Sequence, residues 1–395
     1  MFAKHRLLVP GPTPLPPAVT AAATAPMEDE RTPRFAARFT GMVRKLQQVY
    51  RTSNQVLVFT SSTTGAFESA VQNLFSPGER VLVASNGSFG ERWVQMCRIF
   101  GLDVAEVNAP WGAEIDPAKV AALLAAEPAT SAAICVHCET STGVVNDLRQ
   151  FGLAAANVLT IVDSASGLGS CDLRTDEWGL DVVVSGSQKA LMGPPGLAFA
   201  SVSERAWTRH ARATMPRFYF DWTRASEAYA ADIPRTPWTP AIGALTQLDE
   251  ALDLLLDEGL EARVRRHVVL GRLARAGLRG MGLELVTPAK DQNAMLTAAY
   301  VPPGIDSEEL VRRLADAFGV QIAGCTGPLA GRALRLGHGG FIDSLDVITG
   351  LAGIELTLHS MGASTEIGSG PAAAMRELSR MAAGLPPVSA SAPGG

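Results

Sequence analysis

The feature that most constrains this chain is a rhythm of short, continuously apolar runs separated by helix-length segments. Val56-Leu57-Val58-Phe59, Val81-Leu82-Val83-Ala84, Ile134-Cys135-Val136, Leu159-Thr160-Ile161-Val162, Asp181-Val182-Val183-Val184 and Leu197-Ala198-Phe199-Ala200 follow one another in this way. A strand with one wet face alternates apolar and polar residues, whereas a strand covered on both faces is apolar throughout. The pattern therefore predicts an α/β fold, a mostly parallel sheet with helices on both sides. Near residue 240 the period changes. Leu245, Leu248, Leu252 and Leu255 share a helical face. Gly259 then allows a break before a basic helix running to about Ala276. Strands are expected near Val286, at Ala298 to Val301 and at residues 333–336, with a helix capped by Ser307 and a last one carrying Val347, Leu351, Ile354 and Leu358. This reads as an N-terminal arm at residues 1–20, a large domain at 21–258, a small C-terminal α+β domain at 259–362 and a tail at 363–395 whose end is expected to be disordered.

Composition narrows the function. The 395 residues are 47% hydrophobic and 18% charged, enough for a large core. A net charge of -5 gives no basic excess to hold a polyanion, so a nucleic-acid protein is not expected. No run of 18 apolar residues predicts a membrane span, and Leu7-Leu8-Val9 is too short for a secretory leader. Five cysteines, an odd number, are scattered along the chain and suit a reducing, cytoplasmic setting. Cys135 and Cys138 form a CxxC, but residues three apart on a strand face opposite sides, so no metal site is expected there.

In a parallel sheet, ligands bind beyond the carboxyl ends of the strands. The residues there are Ser62-Thr63-Thr64-Gly65 at a helix start, Asp163-Ser164-Ala165-Ser166, and Ser185-Gly186-Ser187-Gln188-Lys189. Each alone is ordinary: a cap, a turn, a surface lysine. Together they supply an anion cradle, a carboxylate and an amine at one sheet edge. Pyridoxal phosphate needs these three, since its phosphate, ring nitrogen and aldehyde take one each.

The ordered set Pro10-Gly11-Pro12-Thr13, Asn86-Gly87-Ser88-Phe89-Gly90, Glu139-Thr140-Ser141-Thr142-Gly143, Asp163-Ser164-Ala165-Ser166, Ser187-Gln188-Lys189-Ala190 and Leu334-Arg335-Leu336-Gly337 resembles the class V aminotransferases. The nearest likeness is the alanine–glyoxylate and serine–pyruvate branch, over about residues 8–360. The resemblance implies the pyridoxal-phosphate-dependent fold type I and a homodimer with shared active sites. It implies Lys189 as the Schiff-base lysine, Asp163 as partner of the pyridine nitrogen, Thr140 near the ring oxygen and Phe89 stacked on the ring. It places Thr63, Thr64 and Gln188 on the phosphate, and Thr236 and Thr239 on the phosphate of the neighbouring subunit. Arg335 would bind the substrate carboxylate, with Gly11 beside it.

The sequence departs from close relatives at Glu30-Arg31-Thr32-Pro33, where many carry His-Arg, and at Thr63, commonly Gly. One assignable carboxylate-binding arginine favours a small neutral donor, alanine or serine, with glyoxylate or pyruvate as acceptor. Arg31, Arg34 and Arg38 stay unplaced, so an aspartate or aminoethylphosphonate donor remains open. Two further readings stand beside these. Cysteine desulfuration would use Cys325 in Gly324-Cys325-Thr326-Gly327, although Gln188 replaces the expected histidine before the lysine. A degenerate fold that binds without turnover is the non-enzymatic alternative.

Overall fold

The computed structural model describes residues 4–287 and 295–382. Its centre is a seven-stranded sheet of β2 (Gln55–Thr60), β3 (Arg80–Ser85), β4 (Asp103–Asn108), β5 (Ala132–Val136), β8 (Leu159–Asp163), β9 (Val182–Gly186) and β10 (Leu197–Val202), in the order β2-β10-β9-β8-β5-β3-β4. Every pairing is parallel except the two made by β10. Successive strand residues point to opposite faces, and each face has its own core. Val56, Val58, Leu82, Ala84 and Val183 meet Phe35, Phe39, Met42 and Leu46 of helix Pro33–Tyr50 and the leucines of helix Ile242–Glu258. Leu57, Phe59, Val81, Val83 and Val184 meet Phe67 and Val71 of helix Thr63–Leu74, and Trp93 of helix Ser88–Ile99.

A smaller sheet joins β11 (Leu296–Tyr300), β14 (Ala333–Gly337) and β13 (Ala323–Gly324), all antiparallel. Helices Leu260–Gly280, Ser307–Phe318 and Ser344–Ser360 pack around it through Leu273, Leu310, Leu314, Leu351 and Ile354. The remaining pairs are short: β6 (Cys138–Glu139) with β7 (Val144–Val145), and β1 (Arg6–Leu7) with β12 (Val320–Gln321).

Several expectations meet a different outcome. Pro17–Ala22, within the arm, is a short helix with proline in its first turn, where a missing N–H costs nothing. Asp306, not Ser307, caps helix Ser307–Phe318 by accepting from Glu309 N at 2.9 Å. Among the described residues, Leu285 makes an isolated bridge to Ala299, and no strand runs through residues 285–287. Part of the segment read as a tail, Ser369–Ala382, is a helix whose Ala374 belongs to the small-sheet core. The expected disorder of the last ten residues lies outside the described residues. Among the described residues, no helix is long and apolar enough to cross a membrane.

Candidate active site

The carboxyl ends of β2, β5, β8 and β9 release four loops onto one edge of the sheet. The loop after β9 carries Lys189, and the N-terminal arm crosses it. Thr13 donates its N–H to Gln188 O at 3.0 Å and its hydroxyl to Lys189 O at 2.8 Å. Lys189 Nζ in turn donates to Pro10 O at 2.9 Å. A Cβ added to Gly11 would stand 2.5 Å from Lys189 Cδ and 2.7 Å from Nζ, and its φ of +138° also favours glycine. Gly11 is thus the floor on which the lysine chain lies. Burial is the main force on the Lys189 amine and lowers its pKa to about 8. The cations Arg335 and Arg92 push the same way, against the opposing pull of Cys138 and Asp163.

Asp163, at the end of β8, is buried. Its Oδ1 accepts from Ala165 N at 2.9 Å, while its Oδ2 is buried with no hydrogen-bond partner among the described residues. Its carboxyl is raised to about 7, chiefly by burial and with Glu139 pushing the same way, against the lowering by Ala165 N, Trp93 and Lys189. A buried carboxylate oxygen without a partner is costly unless a donor arrives. The protonated ring nitrogen of pyridoxal phosphate is such a donor.

A second group of unpartnered atoms lies where the phosphate would sit. Helix Thr63–Leu74 begins without a side-chain cap on Ser62; Gly65 N donates to Ser62 O at 2.9 Å, and the Thr63 and Thr64 N–H groups have no partner among the described residues. The buried Thr63 Oγ1 and Gln188 Oε1 also lack partners. They come together across Gly186, whose missing Cβ leaves room for Thr63 Oγ1 and would lie 2.8 Å from Gln188 Oε1. A half-turn of the Gln188 amide presents two N–H donors there. Thr64 is half-buried in the same first turn. Free N–H groups, a hydroxyl and an amide suit a dianionic phosphate, so the residues present fit the cofactor.

Arg335 projects from β14 and is half-buried. It donates Nε to Gly324 O at 2.9 Å and Nη1 to Thr140 O at 3.0 Å. It has no ion pair among the described residues, so its remaining nitrogen is uncommitted. Thr140 is buried, with Oγ1 at 2.5 Å from Ser166 Oγ, which ties the loop after β5 to the one after β8. Phe89, in the first turn of helix Ser88–Ile99, is half-buried and lies under Arg92, whose Cζ is 4.7 Å from the ring centroid.

Thr236 and Thr239 are not brought to Lys189. They lie in a loop against Thr60 and Tyr219, with Thr236 Oγ1 donating to Trp238 O at 2.6 Å and Thr239 exposed. The N-terminal arginines are paired: Arg31 with Glu30 at 3.2 Å, Arg34 with Glu28 at 3.8 Å, and Arg38 with Glu28. Cys325 is buried, and its thiol is pushed up to about 11, the opposite of a reactive thiolate. Cys135 packs in the core on one face of the main sheet while Cys138 sits against Cys171.

Glu139 is the residue that motif reading quoted without a role. Wholly buried, it accepts from Phe89 N at 3.1 Å, Gly90 N at 3.2 Å, Ser141 N at 3.0 Å and Ser141 Oγ at 2.6 Å. It caps helix Ser88–Ile99 from outside, because Gly87 at the N-cap has no side chain to do so. The signal was present in the sequence: a helix start with glycine as its cap, and an acid in a loop expected at the same sheet edge.

The family model for class-V aminotransferases matches residues 10–333. A "soluble hydrogenase, small subunit" of Synechococcus is 37% identical, over 95% of this chain and 99% of that protein. A serine–glyoxylate aminotransferase of Arabidopsis thaliana is 34% identical over 94% of each chain. Among solved structures, the ureidoglycine–glyoxylate aminotransferase of Bacillus subtilis superposes with a TM-score of 0.91 at 28% identity, covering 96% of this chain and 99% of that one.

Proposed function

The chain belongs to the class-V aminotransferase family with a fold type I architecture, and on that premise we propose that it moves the amino group of alanine or serine to glyoxylate or pyruvate with pyridoxal phosphate bound at Lys189. One observation carries the reading. Around a lysine held down to about 8 stand a carboxylate oxygen, a hydroxyl and an amide, all buried and all without partners. With the lysine they match the three polar ends of one cofactor: the carboxylate the ring nitrogen, the hydroxyl and amide the phosphate, and the amine the aldehyde. The glyoxylate named for the Arabidopsis and Bacillus relatives supports the acceptor.

When bound, the cofactor supplies an electron sink for the substrate α-carbon. Everything else falls to this chain. Asp163 would hold the ring nitrogen protonated through Oδ2. Thr63, Thr64, Gln188 and the start of helix Thr63–Leu74 would hold the phosphate. Phe89 would pack on the ring face, with the Thr140 hydroxyl near the ring oxygen. Arg335, already fixed by two backbone carbonyls, directs its free edge to the α-carboxylate, and Gly11 leaves the Lys189 chain space to swing. The Lys189 amine would take the α-proton and return it across the intervening nitrogen to the cofactor's former aldehyde carbon, a 1,3-shift; general acid–base help of this kind is worth about 10²–10⁴-fold. Gly259, between the helices Ile242–Glu258 and Leu260–Gly280, is the proposed boundary of the small domain.

A second reading concerns the donor. Arg92 is exposed, lies over Phe89 and has no ion pair among the described residues, which favours an anionic side chain such as that of aspartate. A donor panel decides. Keto acid formed from alanine or serine at least about tenfold faster than from aspartate or aminoethylphosphonate supports the first reading. The reverse order transfers the assignment to an acidic donor.

A further inference from the structure

Helix Ser88–Ile99 reaches the site twice. Its first turn carries Phe89, and one turn later comes Trp93, which is fully buried and stacks on Phe67 with centroids 4.7 Å apart. The indole N–H of Trp93 has no hydrogen-bond partner among the described residues. An indole nitrogen can only donate. The Oδ2 atom of Asp163 is also buried without a partner, and a carboxylate oxygen can only accept. Val136 and Val184, the register partners of Asp163 on either side, lie in the same buried cluster as Trp93, so the two orphans share one face of the sheet and call for a common explanation.

We propose that Trp93 is a positioning residue for Asp163: its indole N–H supports the carboxylate from the helix side, so that Oδ2 stays ionised and aimed at the cofactor's ring nitrogen. The inference rests on the reading that the cleft binds pyridoxal phosphate. The electrostatics agree with it. No hydrogen bond of ordinary length closes between the two groups, yet the indole is near enough to draw the Asp163 carboxyl down, against the burial that lifts it. Among the described residues, the other charged or titratable groups facing Asp163 are Glu139, which disfavours its charge, Lys189, which favours it, and the Cys135 thiol, which burial and Asp163 itself keep protonated and neutral. A carboxylate has two lone pairs on each oxygen, so Oδ2 can accept from the indole and the ring together. Without the indole, Asp163 would meet the ring with burial opposing its charge and only Ala165 N and Lys189 supporting it.

The test compares wild type with Trp93→Phe, and with a variant carrying benzothienylalanine at position 93, which keeps the indole shape and replaces N–H by sulfur. In cofactor-free protein labelled at aspartate Cγ, the Asp163 signal, identified by its loss in Asp163→Asn, reports the carboxyl titration. Its midpoint is expected to rise by about half a unit or more in both variants, because a donor to the charged form has been removed. The pH midpoint of pyridoxal phosphate binding should rise in step, and Trp93→Phe should shift nothing in the Asp163→Asn background. A role in packing alone weakens cofactor binding equally at every pH and moves no midpoint in the benzothienyl variant; that result overturns the inference. A wild type that takes up no pyridoxal phosphate overturns the functional reading instead, and the Asp163 titration still decides whether the pair exists.

Discussion

At the scale of single residues, the site is defined by groups whose ordinary partners are missing. Among the described residues, the Lys189 amine hydrogen-bonds a backbone carbonyl, Pro10 O, and its depressed pKa sets when it can attack an aldehyde. The neutral fraction of the amine grows as pH rises through about 8. The rate of pyridoxal phosphate capture, followed by stopped-flow absorbance, should therefore rise with pH to a half-maximum near 8, where an ordinary lysine would still be climbing above pH 10. Arg335 makes the complementary case. Its two backbone bonds fix the guanidinium and leave one edge for a carboxylate. Replacing it in Arg335→Gln should raise the KM for the amino donor about tenfold to a hundredfold, the worth of one charge-assisted bond of about 1.5–3 kcal/mol. Cofactor affinity should be unchanged. A KM within a factor of two of wild type would show that the donor carboxylate binds elsewhere.

At the scale of elements, the cradle depends on what glycine omits. Gly186 ends β9 between Thr63 Oγ1 and Gln188 Oε1. A methyl group there displaces both, so Gly186→Ala should weaken pyridoxal phosphate binding at least about tenfold, read by titration of the visible band; an unchanged dissociation constant would remove the cradle from its assigned place. Elements also show what the sequence made legible. Strands buried on both faces announce themselves as unbroken apolar runs, and six strands of the main sheet lie over the runs read from the sequence. The seventh, β4, was missed because Asp103–Asn108 alternates: it is an edge strand, with Asp103 and Asn108 exposed and Ala105 and Val107 buried. Helix Ser369–Ala382 was missed because an Ala- and Gly-rich segment looks like a tail until Gly280 lets it approach; a Cβ there would lie 2.6 Å from Ala373 Cβ. Loop chemistry at strand ends was legible as residue type. Support from other segments was not: the Pro10 carbonyl under Lys189, the Glu139 carboxylate under Phe89 and the Ser166 hydroxyl on Thr140 are tertiary pairings with no local pattern.

At the scale of the whole molecule, one surface is unexplained by a lone chain. Phe218 and Tyr219 are 65% and 45% exposed, both stack with Trp238, and Arg224 covers Phe218 and Trp238. Thr236 and Thr239 flank that cluster and reach nothing in their own cleft. We propose a homodimer, in which these threonines would reach across to the neighbouring phosphate; it would account for both. Sedimentation should give twice 41.5 kDa, and Thr236→Val with Thr239→Val together should loosen the cofactor about tenfold or more, the scale of one or two hydrogen bonds. A monomer with undiminished affinity would contradict that arrangement. The central claim is simpler: the cleft binds pyridoxal phosphate through Lys189 and passes amino groups through it. The most direct measurement is the absorbance spectrum of the full chain with pyridoxal phosphate, before and after alanine or serine, beside the same spectra of Lys189→Ala. The account predicts a visible band in the wild type that bleaches with the donor as keto acid forms, and neither band nor bleaching in the variant. A wild type without the band, or a Lys189→Ala protein that keeps band and turnover, would contradict it.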